Sequence, residues 1–300
     1  RYFNDKNLYT IYKDREKDFL PGLDYKKLLY YRPMEKLLGE PDVPLDVYYK
    51  SIETCAMINS FSDSENLNYV GFHAGDNSEP HSHLDAGSFV LDMQGERFAL
   101  DLGPDDYNIP GQFFRFRYSA EGHNTYVINR TDIYTQDEKA TTEIINFKSS
   151  KDEAFAIADI TNAYNMYLTK LHRGIKLYDN RTRVLIQDEL LADEEFEAWW
   201  QMHTEAKIEL SPDKKSALLT VNEKQIRVGI KAPHDAKFEI LKAKPFEDTP
   251  FFKGQNPNRG VKKLCIHFKD KKSATVAVEF AAEKNELHNF ELTQLKDWRI

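Results

Sequence analysis

From Asp46 onward the chain alternates apolar and polar residues with period two, and it keeps this pattern almost to its end. "SFVLDMQ", "ERFALDL", "EAFAIADIT", "LTKLHRGIKLYD", "RTRVLIQDEL", "FEAWWQMH", "KKLCIHFK" and "ATVAVEFAA" typify about fifteen such segments, rich in β-branched and aromatic residues. Alternation at that period turns one face of each segment to water and the other to a core. The joints are short and carry turn residues: Gln94-Gly95, Asp179-Asn180, Asn222-Glu223-Lys224 and Asp270-Lys271-Lys272. Hairpin-length joints impose antiparallel neighbours, and this many strands bury their apolar faces only by stacking or closing. The fold expected is all-β, a large antiparallel two-layer β-sandwich over residues 46–300. Residues 1–45 read differently. "DYKKLLYYRPMEKLLG" has helical spacing at Leu28, Leu29, Met34, Leu37 and Leu38, broken by Pro33 and ended by a C-cap glycine, Gly39. A short helical lead-in is expected there, followed by the extended linker "EPDVPLD".

Composition narrows the function. Apolar residues at 41% are enough for a core, and charged residues at 30% suit a soluble surface. A net charge of −8 excludes broad nucleic-acid binding, which needs a basic face. It leaves room for an anionic ligand held by a local arginine cluster. No stretch approaches the ~20 apolar residues that span a bilayer, and nothing at the start has the pattern of a signal peptide. Cys55 and Cys265 sit far apart in strand-like segments and are expected as buried free thiols.

The chemistry concentrates in "NSEPHSHLDAGSFVLDMQGERFALDLG", residues 77–103. In an extended segment, His81 and His83 project the same way and can face one cavity. Asp101 closes the hairpin that begins near Ser88, which returns it to the neighbourhood of the histidines. His123 follows at the end of "GPDDYNIPGQFFRFRYSAEGH", a 103–123 loop long enough to suggest function. Imidazole, carboxylate and imidazole from three strand ends form a donor set suited to zinc, whereas Asp85 reads as a local turn residue. Arg115 and Arg117 share one face of a short run, and Arg173 lies in a later strand. Their guanidinium forks could hold an acidic substrate. Tyr107 and Tyr118 are the loop's candidates for phenol proton transfer, which requires cationic neighbours to stabilise a phenolate. Phe113, Phe114, Phe116, Trp199 and Trp200 read as core, with His203 a secondary candidate. No nucleophile elbow or phosphate-binding glycine loop is visible.

"EPHSHLDAGSFVLDMQGERFALDLGPDDY" followed by "RFRYSAEGHNTYVIN" resembles the β-domain of the heparinase II/III-like polysaccharide lyases, whose recurrent elements are H-x-H-x-D-x-G-S-F, a hairpin ending in D-x-G, a tyrosine and an H-N-T. The resemblance implies a helical toroid joined to a β-sandwich, periplasmic or secreted, that cleaves uronate-containing polysaccharide by β-elimination. It implies that His81 lies in the cleft and helps neutralise the uronate carboxylate, and that His83, Asp101 and His123 bind zinc. It also implies that residues 1–45 are the tail of a toroid belonging to a longer enzyme, so that this chain carries part of an active site. Two rivals stand beside it. A cupin also opens G-x5-H-x-H, as "GDNSEPHSH" does, but no glutamate stands three or four residues after His83. A non-catalytic carbohydrate-binding sandwich braced by a metal is the other.

Overall fold

The computed structural model describes residues 43–111, 115–130, 136–250 and 252–300. The expected helix at 24–39 lies outside the described residues. Strands, numbered in chain order, build two antiparallel sheets. In the smaller, β1 (Asp46–Tyr49), β2 (Thr54–Ile58), β3 (Tyr69–His73), β5 (Phe89–Met93) and β6 (Glu96–Ala99) lie side by side in that order. The larger sheet has eleven strands. Across it run β12 (Lys207–Leu210), β13 (Ser216–Val221), β14 (Lys224–Ala232), β16 (Lys262–Ala282), β11 (Arg183–Thr204), β10 (Lys170–Tyr178), β9 (Ala154–Asp159), β8 (Thr141–Ser149) and β4 (Gly75–Asp76). The remaining two, β7 (Tyr126–Ile128) and β15 (Phe238–Lys242), pair onto β11 and β16.

The alternation is realised as the core between the sheets. Cys55, Met57, Phe72, Phe89 and Leu91 of the smaller sheet join Ile175, Leu177, Trp200, Val276 and Val278 of the larger in one buried cluster. Cys55 and Cys265 are buried free thiols, and burial pushes both up to about 12. The outer face of the larger sheet is partly covered by the C-terminal segment, whose Leu295 and Trp298 pack on Phe155, Ile157 and Leu185. Gly174 makes room for it, since a Cβ there would lie 2.4 Å from Leu295 Cδ2.

The hairpin turns form with the left-handed residues that such turns require, including Gln94 (φ 53°), Asp179 (φ 54°), Asn180 (φ 52°) and Asn222 (φ 50°). Two joints differ from expectation. "RTRVLIQDEL" and "FEAWWQMH" are a single strand of 22 residues, and "KKLCIHFK" and "ATVAVEFAA" a single strand of 21. No turn interrupts β16 at Asp270-Lys271-Lys272. Asp270 takes φ 57° inside the strand, opposite register shifts between Leu191 and Ala198 of β11. An irregularity of this kind bends a strand pair without ending it.

Buried ion pairs lock the layers. Arg181 donates to both oxygens of Asp46 at 2.8 and 2.6 Å, tying β1 to the turn after β10. Arg173 and Asp188, register partners on β10 and β11, are both fully buried. Arg173 donates to the two Asp188 oxygens at 2.7 and 2.9 Å, and its Nη1 donates to the carbonyls of Gly87 and Asn124 at 2.6 and 2.8 Å. Arg173→Leu would strand a buried carboxylate and two carbonyls, so a stability loss of about 3–5 kcal/mol is expected. Urea unfolding of the variant checks this, and a loss below about 1 kcal/mol contradicts the arrangement.

Candidate active site

The site sits where the loop between β4 and β5 meets the two ends of the long connection that leaves β6 and enters β7. After β3 the chain turns back through Gly75, and the 85–88 turn lies against the end of that strand: the Gly87 N–H donates to the His73 carbonyl at 2.8 Å, and the His73 N–H to the Ser88 carbonyl at 3.0 Å. Asp85 closes this turn through its own carbonyl, which accepts from the Ser88 N–H at 2.8 Å. Position 87 requires glycine twice over, for its φ of +84° and because a Cβ would come within 2.5 Å of Ile160 Cδ1. The Ala86 peptide is clasped on both sides by Gln136, whose Oε1 accepts from its N–H and whose Nε2 donates to its carbonyl.

The H-N-T segment divides its work by residue. His123 faces the site. Asn124 is fully buried and donates to the carbonyls of Phe89 and Leu100 at 2.7 and 2.9 Å, while its Oδ1 accepts from the His203 N–H at 2.6 Å. One amide thus gathers the start of β5, the end of β6 and β11. Thr125 donates to the Ala86 carbonyl at 2.9 Å. His203, the secondary candidate, is buried against Asn124 and belongs to the scaffold.

His83, His123 and Asp101 come together as expected, in a chain. The His123 Nδ1–H donates to Asp101 Oδ2 at 2.8 Å, and His123 Nε2 lies 3.2 Å from His83 Nδ1. Burial opposes charge on His123, but the Asp101 carboxylate outweighs it and raises the ring's pKa. Burial and the neighbouring His123 push His83 down to about 4. Of the two rings, His123 is therefore the one that holds a proton more readily. Burial likewise opposes ionisation of Asp101, yet the His123 charge and hydrogen bond hold its carboxyl below the usual range. Among the described residues, no group of three or more His, Cys, Asp or Glu side chains is arranged to hold a metal ion. The donors nevertheless fit one in part. The facing His83 and His123 nitrogens have the spacing of two ligands on an ion bound at ~2.0–2.1 Å. Asp101 occupies the other nitrogen of His123, as outer carboxylates commonly do behind a metal-bound histidine.

His81 is exposed and left-handed, at φ 70°. It reaches the same hollow as His83 by a turn rather than by strand geometry. A groove of about 870 Å³ is lined by His81, His83, Asp101 and Tyr107. Across a ridge formed by Glu79–Ser82 and Tyr107 lies a second hollow, bounded also by Arg115 and Tyr118. Rings run in series from His81 to Tyr107 (5.8 Å), Tyr107 to Tyr118 (6.2 Å) and Tyr118 to His83 (4.2 Å). Tyr107 is 61% exposed and Tyr118 3%. Burial raises the pKa of Tyr118 against the opposing Arg115 charge, so its phenol stays protonated.

The arginines are placed differently from expectation. Arg115 and Arg117 lie on a turn, closed by the Tyr118 N–H donating to the Arg115 carbonyl, not on an extended run. Arg115 is buried, with its guanidinium 4.1 Å over the Tyr118 ring. Arg117 donates to Asn258 Oδ1 and to the Leu102 and Pro104 carbonyls, bracing the loop. Arg173 does not reach the groove, because it is buried behind the site on Asp188. Phe116 is buried as expected, while Phe113 and Phe114 lie outside the described residues. Sequence reasoning passed over two groove residues: His73 at the end of β3, and the side chain of Asp85, whose Oδ1 lies 3.8 Å from His73 Nε2. The only sequence signal for His73 was its place two residues before Gly75.

A family model, heparinase II/III-like, C-terminal, matches residues 68–279. The chain belongs to that family. Its β-sandwich is similar to that of heparan sulfate lyase HepC from Pedobacter heparinus, at TM-score 0.65 and 12% identity over 93% of this chain and 42% of that one. It is equally similar to a heparinase III, at TM-score 0.65 and 14% identity over 93% of this chain and 42% of that one. The heparinase II/III-like chain thus spans about two fifths of the length of these structures. No curated protein matches it in sequence. Among the described residues, no helix is long and apolar enough to cross a membrane. The H-x-H and D-x-G elements of this heparinase II/III-like sandwich line one groove, and the buried H-N-T segment lies directly behind them, held by Asn124. Asn124→Leu, which leaves two carbonyls and the His203 N–H unpaired, is expected to cost at least ~3 kcal/mol, by about 1 kcal/mol or more for each. Thermal unfolding checks this, with retention of the wild-type midpoint as the contrary result.

Proposed function

We propose that this chain is the β-domain of a lyase that cleaves uronate-containing polysaccharide by β-elimination, and that a helical domain upstream of it supplies the opposite wall of the cleft. The observation that carries the proposal is the open groove lined jointly by His81, His83, Asp101 and Tyr107. The similar structures are described as a heparan sulfate lyase and a heparinase III. In the reaction, neutralising the uronate carboxylate acidifies the C5 proton, a base removes it, and an acid protonates the departing glycosidic oxygen. His81, exposed on the groove floor and free to rotate toward solvent, is assigned to the carboxylate. Tyr107 is assigned to the leaving oxygen, with Tyr118 and Arg115 positioning it from behind. Glu53, Asp76, Glu79, Asp85 and Asp101 line the groove against Lys50, so cationic recognition of a polyanion falls to the histidines and to the upstream domain. A polymeric substrate of this kind places the enzyme in the periplasm or outside the cell.

Zinc belongs to the same proposal. His83 Nδ1 and His123 Nε2 would hold it, Asp101 would orient His123 or swing to the ion, and the bound charge would brace the loop ends beside the groove. Elemental analysis of the purified chain is expected to find about one zinc per chain, lost in His83→Ala and His123→Ala. Metal-free preparations that refold with zinc present and still bind none would overturn this assignment. In the full-length native protein, uronate polysaccharide is expected to yield unsaturated product, followed by its ultraviolet absorbance. His81→Ala should lower kcat by about 10²-fold or more, the scale of lost electrostatic stabilisation, with metal content unchanged. Full-length protein that binds the polymer but never cleaves it would favour a carbohydrate-binding sandwich.

A further inference from the structure

His73 carries no role in the sequence pattern, yet its ring is held in the groove by a hydrogen-bonding contact to Thr54. It stands on β3, inside the smaller sheet between β2 and β5. Its main chain is pinned on both sides by the 85–88 turn, through the Gly87 and Ser88 bonds already described. Gly75, at φ +111°, gives the imidazole room: a Cβ there would lie 2.9 Å from His73 Cε1. The side chain is 39% exposed and lines the groove with His81 and Tyr107.

Hydrogen bonding decides which ring nitrogen carries the proton. Thr54 pairs with His73 across the β2–β3 register. The Thr54 hydroxyl has one hydrogen, and it donates that to the Ile52 carbonyl at 3.1 Å. Thr54 Oγ1 therefore accepts in its 2.9 Å contact with His73 Nδ1, so Nδ1 bears the hydrogen. The neutral ring then presents a bare Nε2 to the groove. The group nearest in charge to Nε2 is Asp85 Oδ1, at 3.8 Å. That distance is too long for a hydrogen bond and close enough to stabilise a positive charge arriving on the ring. A fixed tautomer with an open lone pair and a carboxylate waiting for the charge is the arrangement of a general base.

We propose that His73 Nε2 is the base of the elimination, with Thr54 and Asp85 as its positioning residues. This rests on the lyase reading above. The C5–H bond breaks and its proton passes to Nε2. The electron pair left on carbon forms the C4=C5 double bond, and the C4–O bond breaks with its pair on the departing oxygen. That oxygen is protonated by the tyrosine assigned to it, and the proton on His73 is later lost to water. No oxidant or reductant is involved.

The test uses the full-length native protein and a uronate polysaccharide that it cleaves, found by screening heparan sulfate, alginate and polygalacturonate. His73→Asn keeps a donor for Thr54 and deletes Nε2. It is expected to lose about 10²–10⁴-fold in kcat, with KM within threefold and the unfolding midpoint and metal content unchanged. Added imidazole should restore part of the activity of His73→Ala. Long-range ¹H–¹⁵N spectra of the ring, assigned with the same variant, should show the Nδ1–H tautomer. Wild-type turnover together with a His73→Asn kcat within threefold overturns the role of His73 and leaves the lyase reading standing. An Nε2–H tautomer overturns it as well. Wild-type protein inert on all three polymers overturns the lyase reading and the base with it.

Discussion

The groove depends on an ion pair that no substrate touches. Arg173 and Asp188 are sealed in the interior, where two unpaired charges would each cost several kcal/mol. The pair is weak as a source of net stability, because desolvation consumes most of the attraction. Its value here is geometric. Once Asp188 has fixed the guanidinium plane, the remaining donors can point only at Gly87 and Asn124. Those two carbonyls belong to the D-x-G-S and H-N-T segments, so a single planar cation sets the distance between the two halves of the site. Tyr126, donating to Asp188 Oδ2 at 2.9 Å, closes the same network.

Around that anchor, the histidines differ because their surroundings differ. His123 is sealed from solvent against Asp101, whose charge raises its pKa, whereas burial and the neighbouring ring push His83 down to about 4. His81 is exposed on a turn, able to follow a ligand. His73 stands on a rigid strand, with one nitrogen committed to Thr54. Four imidazoles at one locus thus stand in four distinct settings of burial and hydrogen bonding, set by the side chains beside each. Tyr118 shows the same logic in reverse. Arg115 lies over its ring as a cationic neighbour should, but burial of the phenol outweighs that charge.

The sandwich was legible because period-two alternation and turn residues act locally. So were the H-x-H, D-x-G and H-N-T elements, since a hairpin necessarily returns Asp101 toward its start. What escaped was everything fixed by partners distant in sequence. Arg173 looks like a cation for an acidic substrate until Asp188 is placed beside it by the β10–β11 register. Asp85 reads as a turn residue and is one through its main chain, but only the fold turns its carboxylate toward His73. The lysines at 271 and 272 suggest a loop, yet β16 continues because a left-handed Asp270 absorbs the irregularity. His81 and His83 do share one groove, but a left-handed turn at His81 puts them there rather than the extended segment expected.

The two longest strands also bear on how the molecule is made. Asn124 and His123 are held by Gln201 and His203 near the end of β11, about eighty residues later in the chain. That part of β11 is in turn paired with the first half of β16, some sixty residues later again. The chemistry-bearing loops therefore leave the ribosome well before the β-structure that shapes them. Contacts this remote are slow to form, since a large loop must close before any bond rewards it. The order of synthesis therefore leaves these loops without their final partners until both long strands have been made.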